Sequence, residues 1–528
     1  MELKGLNFIG NDLSGKGKEI FSAVNPANNK KISPIFHEAI QEEIDDAVNK
    51  AEEAFKVYRN KSGKEKAVFL EAIADEILAS GDVLIKRCCE ETGLPETRIS
   101  GERGRTVNQL RLFAGLLREG SWVDARIDTA DPERKPVPKP DIRSMKKALG
   151  PVGIFGASNF PLAFSVAGGD TASALAAGCT IVVKAHPAHP GTCEMIADAI
   201  RNAVLKTAMP DGTFSMVHGF STEAGMAIVK HPFIKAIGFT GSFRGGKAIY
   251  DAAVQRAEPI PVYAEMGSTN PVFILPGALK ERKEEIANGL AASVALGVGQ
   301  FCTNPGIVFY ENSEDAKKFQ EIAVNKFAVI PAGTMLTEGI QQAYKNGIEN
   351  IKKNEAINLL ARGKTGAGNS EGTAYLMQTN VSNFLSNEKF EEEIFGPSTL
   401  NVTANNKSEL IEAAKNLKGH LTATLHATSE DLKNYKELIE ILERKAGRLI
   451  INGFPTGVEV CHSMVHGGPF PATTDSKATS VGTLAINRFA RHVCFQNFPD
   501  EFLPDELKNS NPLCIWRQIN GEMKNSAL

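Results

Sequence analysis

Cys302 lies in Gly297-Val298-Gly299-Gln300-Phe301-Cys302-Thr303, where a helix-forming run from Ile286 to Leu296 ends in glycines. A cysteine beside a glycine-rich turn is approachable, and nearby backbone N–H groups can stabilise a thiolate or an oxyanion. Taken alone it also reads as buried filler, the commoner fate of a free cysteine. In Tyr263-Ala264-Glu265-Met266-Gly267-Ser268, Glu265 ends an apolar strand beside a glycine. Such a carboxylate is a candidate general base or a paired structural group. Asn159, in Ser158-Asn159-Phe160-Pro161-Leu162, can donate an amide N–H to a developing oxyanion or serve as a turn or helix cap. Phe239-Thr240-Gly241-Ser242-Phe243-Arg244-Gly245-Gly246 follows a strand and opens a helix. It can offer amide N–H groups and a positive dipole end to a phosphate, although its spacing is not the GxGxxG fingerprint.

Two histidine pairs invite a metal reading. His186 and His189 flank Pro187, with Cys193 shortly after, and His462 and His466 follow Cys461. Zinc needs three or four ligands at supporting spacing, and neither set has a convincing further ligand. No metal is expected, and both pairs read as loop histidines lining a pocket or the surface.

The elements that must position these groups form two α/β patterns. From Pro151, short apolar runs alternate with helical segments: strands at Val152–Gly156, Thr180–Lys184, Phe214–Val217, Ala236–Thr240 and Val262–Glu265, and helices at Ser165–Ala177, Gly191–Lys206, Thr222–Val229 and Arg244–Ala257. That grammar means βαβ units, a doubly wound parallel sheet, and a ligand beyond the carboxyl ends of the strands. A second pattern runs from Met266 to Pro471, with strands at Val272–Leu275, Ile307–Tyr310, Thr422–His426 and Arg448–Asn452. The first third reads as helical, from repeats such as Ile44, Val48, Ala51 and Phe55, and a stretch from Glu96 to Leu117. Three prolines within Pro136-Val137-Pro138-Lys139-Pro140 predict an exposed loop or edge hairpin. The segment Asp475–Leu528 is polar, with apolar anchors at Phe489, Phe495 and Trp516, and reads as docking on a neighbouring subunit.

The 528 residues suggest about three domains. Lys and Arg number 59 against 62 Asp and Glu, a net charge of −3, which excludes a general electrostatic grip on nucleic acid. No apolar run reaches about 18 residues, so no membrane-spanning helix is expected. The first residues lack a signal-peptide pattern, which gives a cytoplasmic expectation. The eight cysteines contain no CxxC and suggest neither a disulfide framework nor a zinc ribbon.

Together the segments resemble the aldehyde dehydrogenase superfamily, almost along the whole chain. The matching pieces stand in the family's order: Ser158-Asn159-Phe160-Pro161-Leu162, Val182-Val183-Lys184, Phe239-Thr240-Gly241-Ser242, Glu265-Met266-Gly267, Gly299-Gln300-Phe301-Cys302-Thr303 and Glu392-Glu393-Ile394-Phe395-Gly396-Pro397. Any one is weak, whereas six in order are specific. Within the superfamily, the stretch Phe155–Leu175, Lys184-Ala185-His186-Pro187-Ala188-His189-Pro190-Gly191-Thr192 and Gly101-Glu102-Arg103-Gly104-Arg105-Thr106 are similar to the α-ketoglutaric semialdehyde dehydrogenase group. The chain departs from the wider pattern after Gly267, where Ser268 and Thr269 replace a common glycine and lysine.

The resemblance implies a Rossmann-type cofactor domain (1–128 and 150–265), an α/β catalytic domain (266–472) and a small β oligomerisation arm (129–149 and 473–528). It makes Cys302 the nucleophile, Asn159 an oxyanion donor and Glu265 the base that hydrolyses a thioester. For the cofactor, NADP or NAD, it assigns Lys184 to the adenosine ribose, Gly241 and Ser242 to the pyrophosphate, Glu393 to the nicotinamide ribose and Phe395 to the ring's surroundings. His186 and Pro187 stand at the adenosine end, and Pro187 occupies a position where NAD-strict relatives tend to carry glutamate. Arg105 falls on the helix resembling the tunnel wall and is expected to grip a distal carboxylate, the alternative being a solvated residue or a partner of Glu102. Phe160, Ala163 and Phe454 complete the expected substrate contacts, with Ala163 and Ala167 leaving room for an oxo-bearing chain. A homodimer or homotetramer is implied. The expected reaction is oxidation of α-ketoglutaric semialdehyde; a fatty aldehyde dehydrogenase, a silent binding relative and a nucleotide-free thioesterase are the alternatives.

Overall fold

Strands Val262–Glu265, Ala236–Thr240, Val152–Phe155, Ile181–Lys184 and Phe214–Val217 lie side by side, in that order and all parallel. This arrangement is seen in a computed structural model that describes residues 2–366, 368 and 370–528. Both faces of the sheet are covered, as the continuous apolar runs require. Ile181 and Val183 pack into one core with Leu70, Val107, Leu175 and Ile196. Val182 points to the other face, with Ile44, Val48, Ile228 and Ile249. The period of two along one strand therefore feeds two helical layers, and the expected doubly wound architecture is present.

A second sheet of seven strands runs in the order Asn358–Arg362, Tyr375–Asn380, Ser398–Ala404, Ile307–Glu311, Val272–Ile274, His420–His426 and Ala446–Ile451. It is parallel except at the Asn358–Arg362 edge. Phe273 and Phe309 stack on one face while Val272, Ile274 and Val308 fill the other. A third sheet joins Ala490–Gln496, Ile142–Ala148, Arg126–Asp128, Arg517–Ile519 and Glu522–Lys524. The chain from 475 onward thus folds back on its own 126–148 segment, with Phe489 fully buried and Trp516 49% exposed. The proline-rich stretch is an exposed loop closed by an Asp131–Lys139 bridge.

The reading of the first third as helical needs correction. Asn7–Ile9 pairs antiparallel with Phe214–Val217 and extends the first sheet, Asp12–Ser14 follows it, and Ile20–Asn25 pairs with Lys30–His37 in a hairpin. Three-residue strands carry too little alternation to register in sequence, and the hairpin's outward residues are charged or exposed. Among the described residues, no helix is long and apolar enough to cross a membrane.

Candidate active site

Phe155 pairs with Lys184 and Thr240 with Glu265, so these strands end at one level. The chain leaves those ends through Ser158-Asn159, His186-Pro187 and Gly241-Ser242, and all of these residues line one cavity of about 1450 Å³. Glu393, Phe395 and Cys302 reach the same cavity from the second α/β unit. Every residue expected to hold the cofactor therefore lies on it, beyond the carboxyl edge of a doubly wound sheet.

Its chemistry fits a dinucleotide. Ser242 Oγ accepts the Gly245 N–H at 3.2 Å and caps the helix Phe243–Val254, whose open N-terminus faces the cavity. Burial lowers the Lys184 pKa to about 8. Burial also pushes His186 well below its ordinary value, and its Nδ1 accepts the Ala188 N–H at 3.1 Å, so the ring is neutral. Glu393 is raised to about 7 by burial, against one weak hydrogen bond from the Ser268 N–H at 3.4 Å. A Cβ on Gly267 would sit 2.3 Å from Glu393 Oε2, so only glycine lets that carboxylate close over the strand end.

Cys302 follows a short turn after the helix Pro276–Ala295. Gly299 has φ +65°, and a Cβ there would meet the Gly396 carbonyl carbon at 2.3 Å, so the turn demands glycine. Asn270 Nδ2 donates to the Cys302 carbonyl at 2.8 Å and to the Asn304 carbonyl at 3.0 Å, pinning the loop from below. The Cys302 Sγ lies 3.4 Å from His466 Nε2, which lies 2.9 Å from Glu265 Oε1. Ser480 Oγ donates to Glu265 Oε2. Burial would raise the Glu265 pKa, but the adjacent His466 and hydrogen bonds from His466, Ser480 and Cys302 hold it below its ordinary value. Burial, reinforced by the neighbouring Glu265 carboxylate, pushes the Cys302 thiol well above its ordinary value. The resting pair is a carboxylate beside a thiol.

His466 was grouped in sequence with Cys461 and His462, and the structure separates it from His462, which is exposed. It stands 164 residues from Cys302, and pairing of the 472–474 segment with the end of strand Val262–Glu265, including the Glu265–Thr473 bridge and the Met266 N–H to the Ala472 carbonyl, brings its loop alongside. No local spacing could announce that. His189, from the other pair, is buried with Nδ1 3.3 Å from Cys193 Sγ and Nε2 3.1 Å from the Ala157 carbonyl.

Asn159 Nδ2 donates one hydrogen to the Gln300 carbonyl at 3.0 Å, which leaves the second for a substrate oxygen. Past it, Phe160, Ala163, Phe164 and Phe301 form an apolar cluster with Ala157 and Val481. The Arg105 guanidinium lies 5.6 Å from the Phe160 ring centre and 5.1 Å from that of Phe164. Arg105 Nε and Nη2 are buried and have no hydrogen-bond partner among the described residues. Of Glu102, Oε1 accepts the Leu162 and Ala163 N–H groups at 2.9 and 3.0 Å, while Oε2 makes no hydrogen bond among the described residues and stands 4.0 Å from Arg98. Glu102 is also the negative charge that acts most strongly on Arg105. Phe454 is not in this cluster; it packs on His426, 4.8 Å between ring centres, beside the second sheet.

Residues 13–471 match the model of the aldehyde dehydrogenase family. The chain is 49% identical over 523 residues to alpha-ketoglutaric semialdehyde dehydrogenase 2 of Azospirillum brasilense, covering 99% of this chain and all of that one. It is 44% identical over 521 residues to alpha-ketoglutaric semialdehyde dehydrogenase of Acinetobacter baylyi, covering 98% and 99%. Betaine aldehyde dehydrogenase of Staphylococcus aureus in complex with NAD+ shares the fold, with a TM-score of 0.80 at 20% identity over 94% of this chain and 96% of that one. Site, sequence and fold agree: the chain belongs to the aldehyde dehydrogenase family.

Proposed function

We propose that the protein oxidises α-ketoglutaric semialdehyde to 2-oxoglutarate with NADP or NAD. The observation that carries the substrate is Arg105: a half-buried side chain whose Nε and Nη2 are buried and unpartnered among the described residues, over the apolar cluster that contains Phe301, the neighbour of Cys302. Glu102 offers Arg105 charge but no hydrogen bond, and buried N–H groups left without an acceptor are costly; a substrate carboxylate would supply the bidentate partner. The names of the relatives support the same substrate. A fatty aldehyde brings no anion to that position.

Cys302 attacks the aldehyde carbon as its thiol proton passes to Glu265, and His466 Nε2, 3.4 Å from the sulfur, can donate to the thiolate as the charge forms. The free hydrogen of Asn159 Nδ2, with the Cys302 backbone N–H, holds the oxyanion. NADP or NAD, which Lys184, the Gly241-Ser242 turn and Glu393 on the cavity wall would hold, would supply the hydride acceptor. Once the acyl group sits on Cys302, Glu265 releases its proton and draws one from water, which attacks the thioester. The eight unpaired cysteines fit a reducing cytoplasm. Exposed Phe498, Phe502, Trp516 and Met523 on the third sheet and its flanks support assembly as a homodimer or homotetramer.

Initial rates on aldehydes with and without a distal carboxylate, each with both nucleotides, test the reading. The semialdehyde is expected to show the highest kcat/KM. An equal preference for hexanal would restore the fatty-aldehyde reading, and no turnover of any aldehyde would make the chain a binding relative.

A further inference from the structure

Glu265, Cys302 and His466 each offer one ligand atom, a carboxylate oxygen, the thiol sulfur and an imidazole nitrogen, and the three lie within 4.8 Å of one another. The distances from Nε2 are 3.4 Å to the sulfur and 2.9 Å to the oxygen. Zinc bonded at about 2.0–2.3 Å to tetrahedral N, O and S ligands places those ligands roughly 3.3–3.7 Å apart, so the two measured distances need shifts of a few tenths of an ångström and the sulfur-to-oxygen edge, within 4.8 Å, must close by at most about an ångström. One thiolate and one carboxylate bring two negative charges, which a divalent cation neutralises in a buried setting where side by side they repel. Cys302 and Glu265 both line the cofactor cavity, which gives an ion its route and leaves the fourth position open to water.

We propose that Glu265, Cys302 and His466 form a latent zinc site whose occupancy switches the enzyme off reversibly; the consequence for activity rests on the roles of Cys302 and Glu265 given above. Binding forms Zn–S, Zn–N and Zn–O bonds, releases the thiol proton to solvent and moves the imidazole proton to Nδ1, with no electron transferred. His466 Nδ1 has no hydrogen-bond partner among the described residues. Resident zinc histidines normally anchor that second nitrogen, so this site holds an exchangeable ion.

The test uses the full-length protein carrying C494S and C514S, which removes the two exposed thiols. About one equivalent of ZnCl2 should abolish aldehyde oxidation, EDTA should restore it, and zinc should slow iodoacetamide labelling of Cys302 at least about tenfold. Co2+ should produce a thiolate-to-cobalt charge-transfer band in the near ultraviolet. That band should vanish in C302A and weaken in H466F, with metal affinity in H466F at least about tenfold lower. Unchanged nucleotide affinity in both variants certifies their fold, and protection of the unmutated Cys302 from alkylation reads the site without them. Full activity in excess zinc, or the same cobalt band in C302A, would overturn the proposal. Absence of aldehyde oxidation by the metal-free enzyme would instead strike the proposed function, while leaving the cobalt spectrum to judge the site.

Discussion

The cofactor wall of the active site hangs on the ends of parallel strands, and the substrate wall hangs on one helix and loops distant in sequence. On the first wall, Lys184, the Gly241-Ser242 turn and Glu265 emerge where hydrogen-bonded strands end level with one another. Their positions follow from sheet register, and their groups are polar and face a large cavity. On the second wall, Arg105 projects from the helix Glu96–Glu119 onto Phe160 and Phe164, and His466 and Ser480 come from loops after the second sheet. Those positions depend on side-chain packing and on buried ionic contacts such as Glu102 with Arg98. On the proposed function, the backbone carries the chemistry common to the family, while packing carries the choice of substrate.

The reacting groups lie where the walls meet, so removing them should show the largest effect. Cys302→Ala is expected to lower kcat on the order of a thousandfold or more while nucleotide affinity stays within about twofold, because the two walls are built separately. Retention of even about a tenth of wild-type kcat would remove Cys302 as the nucleophile. Glu265→Gln should slow deacylation more than hydride transfer, so a burst of reduced nucleotide should persist in stopped-flow traces. In the variant the thiol proton can still leave to water in the cavity, whereas water activation has no second base; loss of the burst would show that Glu265 is needed just as much as acceptor of the thiol proton.

The substrate wall is sharpened by Arg105→Leu. Loss of a desolvated contact to a carboxylate costs about 2 kcal/mol, or about thirtyfold in kcat/KM. That loss should fall on α-ketoglutaric semialdehyde and spare hexanal, for which an apolar tunnel is no worse. Equal losses on both aldehydes would show that Arg105 merely supports Phe160 and Phe164.

This division also explains what could be read from the sequence. Strands Phe214–Val217, Ala236–Thr240 and Val262–Glu265 were legible because burial on both faces makes them short apolar runs between helices. Ser398–Ala404 was missed although every residue in it is buried, because Thr399, Asn401 and Thr403 give it a polar composition. Edge strand Asn358–Arg362 carries exposed Asn358, Leu359 and Arg362 and shows no run at all. Cys302, Glu265 and Asn159 sit in contiguous motifs, whereas His466 joins them only through a pairing between distant segments. Phe454 fell into the expected substrate set, yet its ring settles on His426.

A smaller effect is expected at the adenosine end of the cofactor wall. Pro187 lines the cavity beside His186 and Lys184 and, unlike a glutamate, sets no charge of its own against a ribose 2′-phosphate. Pro187→Glu should shift the ratio of kcat/KM values toward NAD by about tenfold, ~1.4 kcal/mol, through like-charge repulsion of NADP. A wild-type enzyme that already rejects NADP would show that Pro187 does not face the 2′ position.

The smallest effect separates a ligand role from a structural one on that same wall. Burial holds Glu393 at about 7, so near neutrality it is only partly ionised in the free protein. Ribose hydroxyls donate more strongly to a carboxylate than to a neutral acid, so nucleotide affinity should rise as pH climbs through about 7, by roughly threefold to fivefold. Stability should move the other way. Because the folded value lies above the ordinary 4.5, the folded state binds more protons than the unfolded chain between about 4.5 and 7. This group's contribution therefore falls as pH rises through that window and levels off above it. Nucleotide affinity from fluorescence titration and Tm of the free protein, measured over the same pH range, should show these opposite slopes, and Glu393→Gln should flatten both. A slope in Tm that disappears in the variant, with affinity flat in both proteins, would leave Glu393 a buried structural acid and take it off the cofactor.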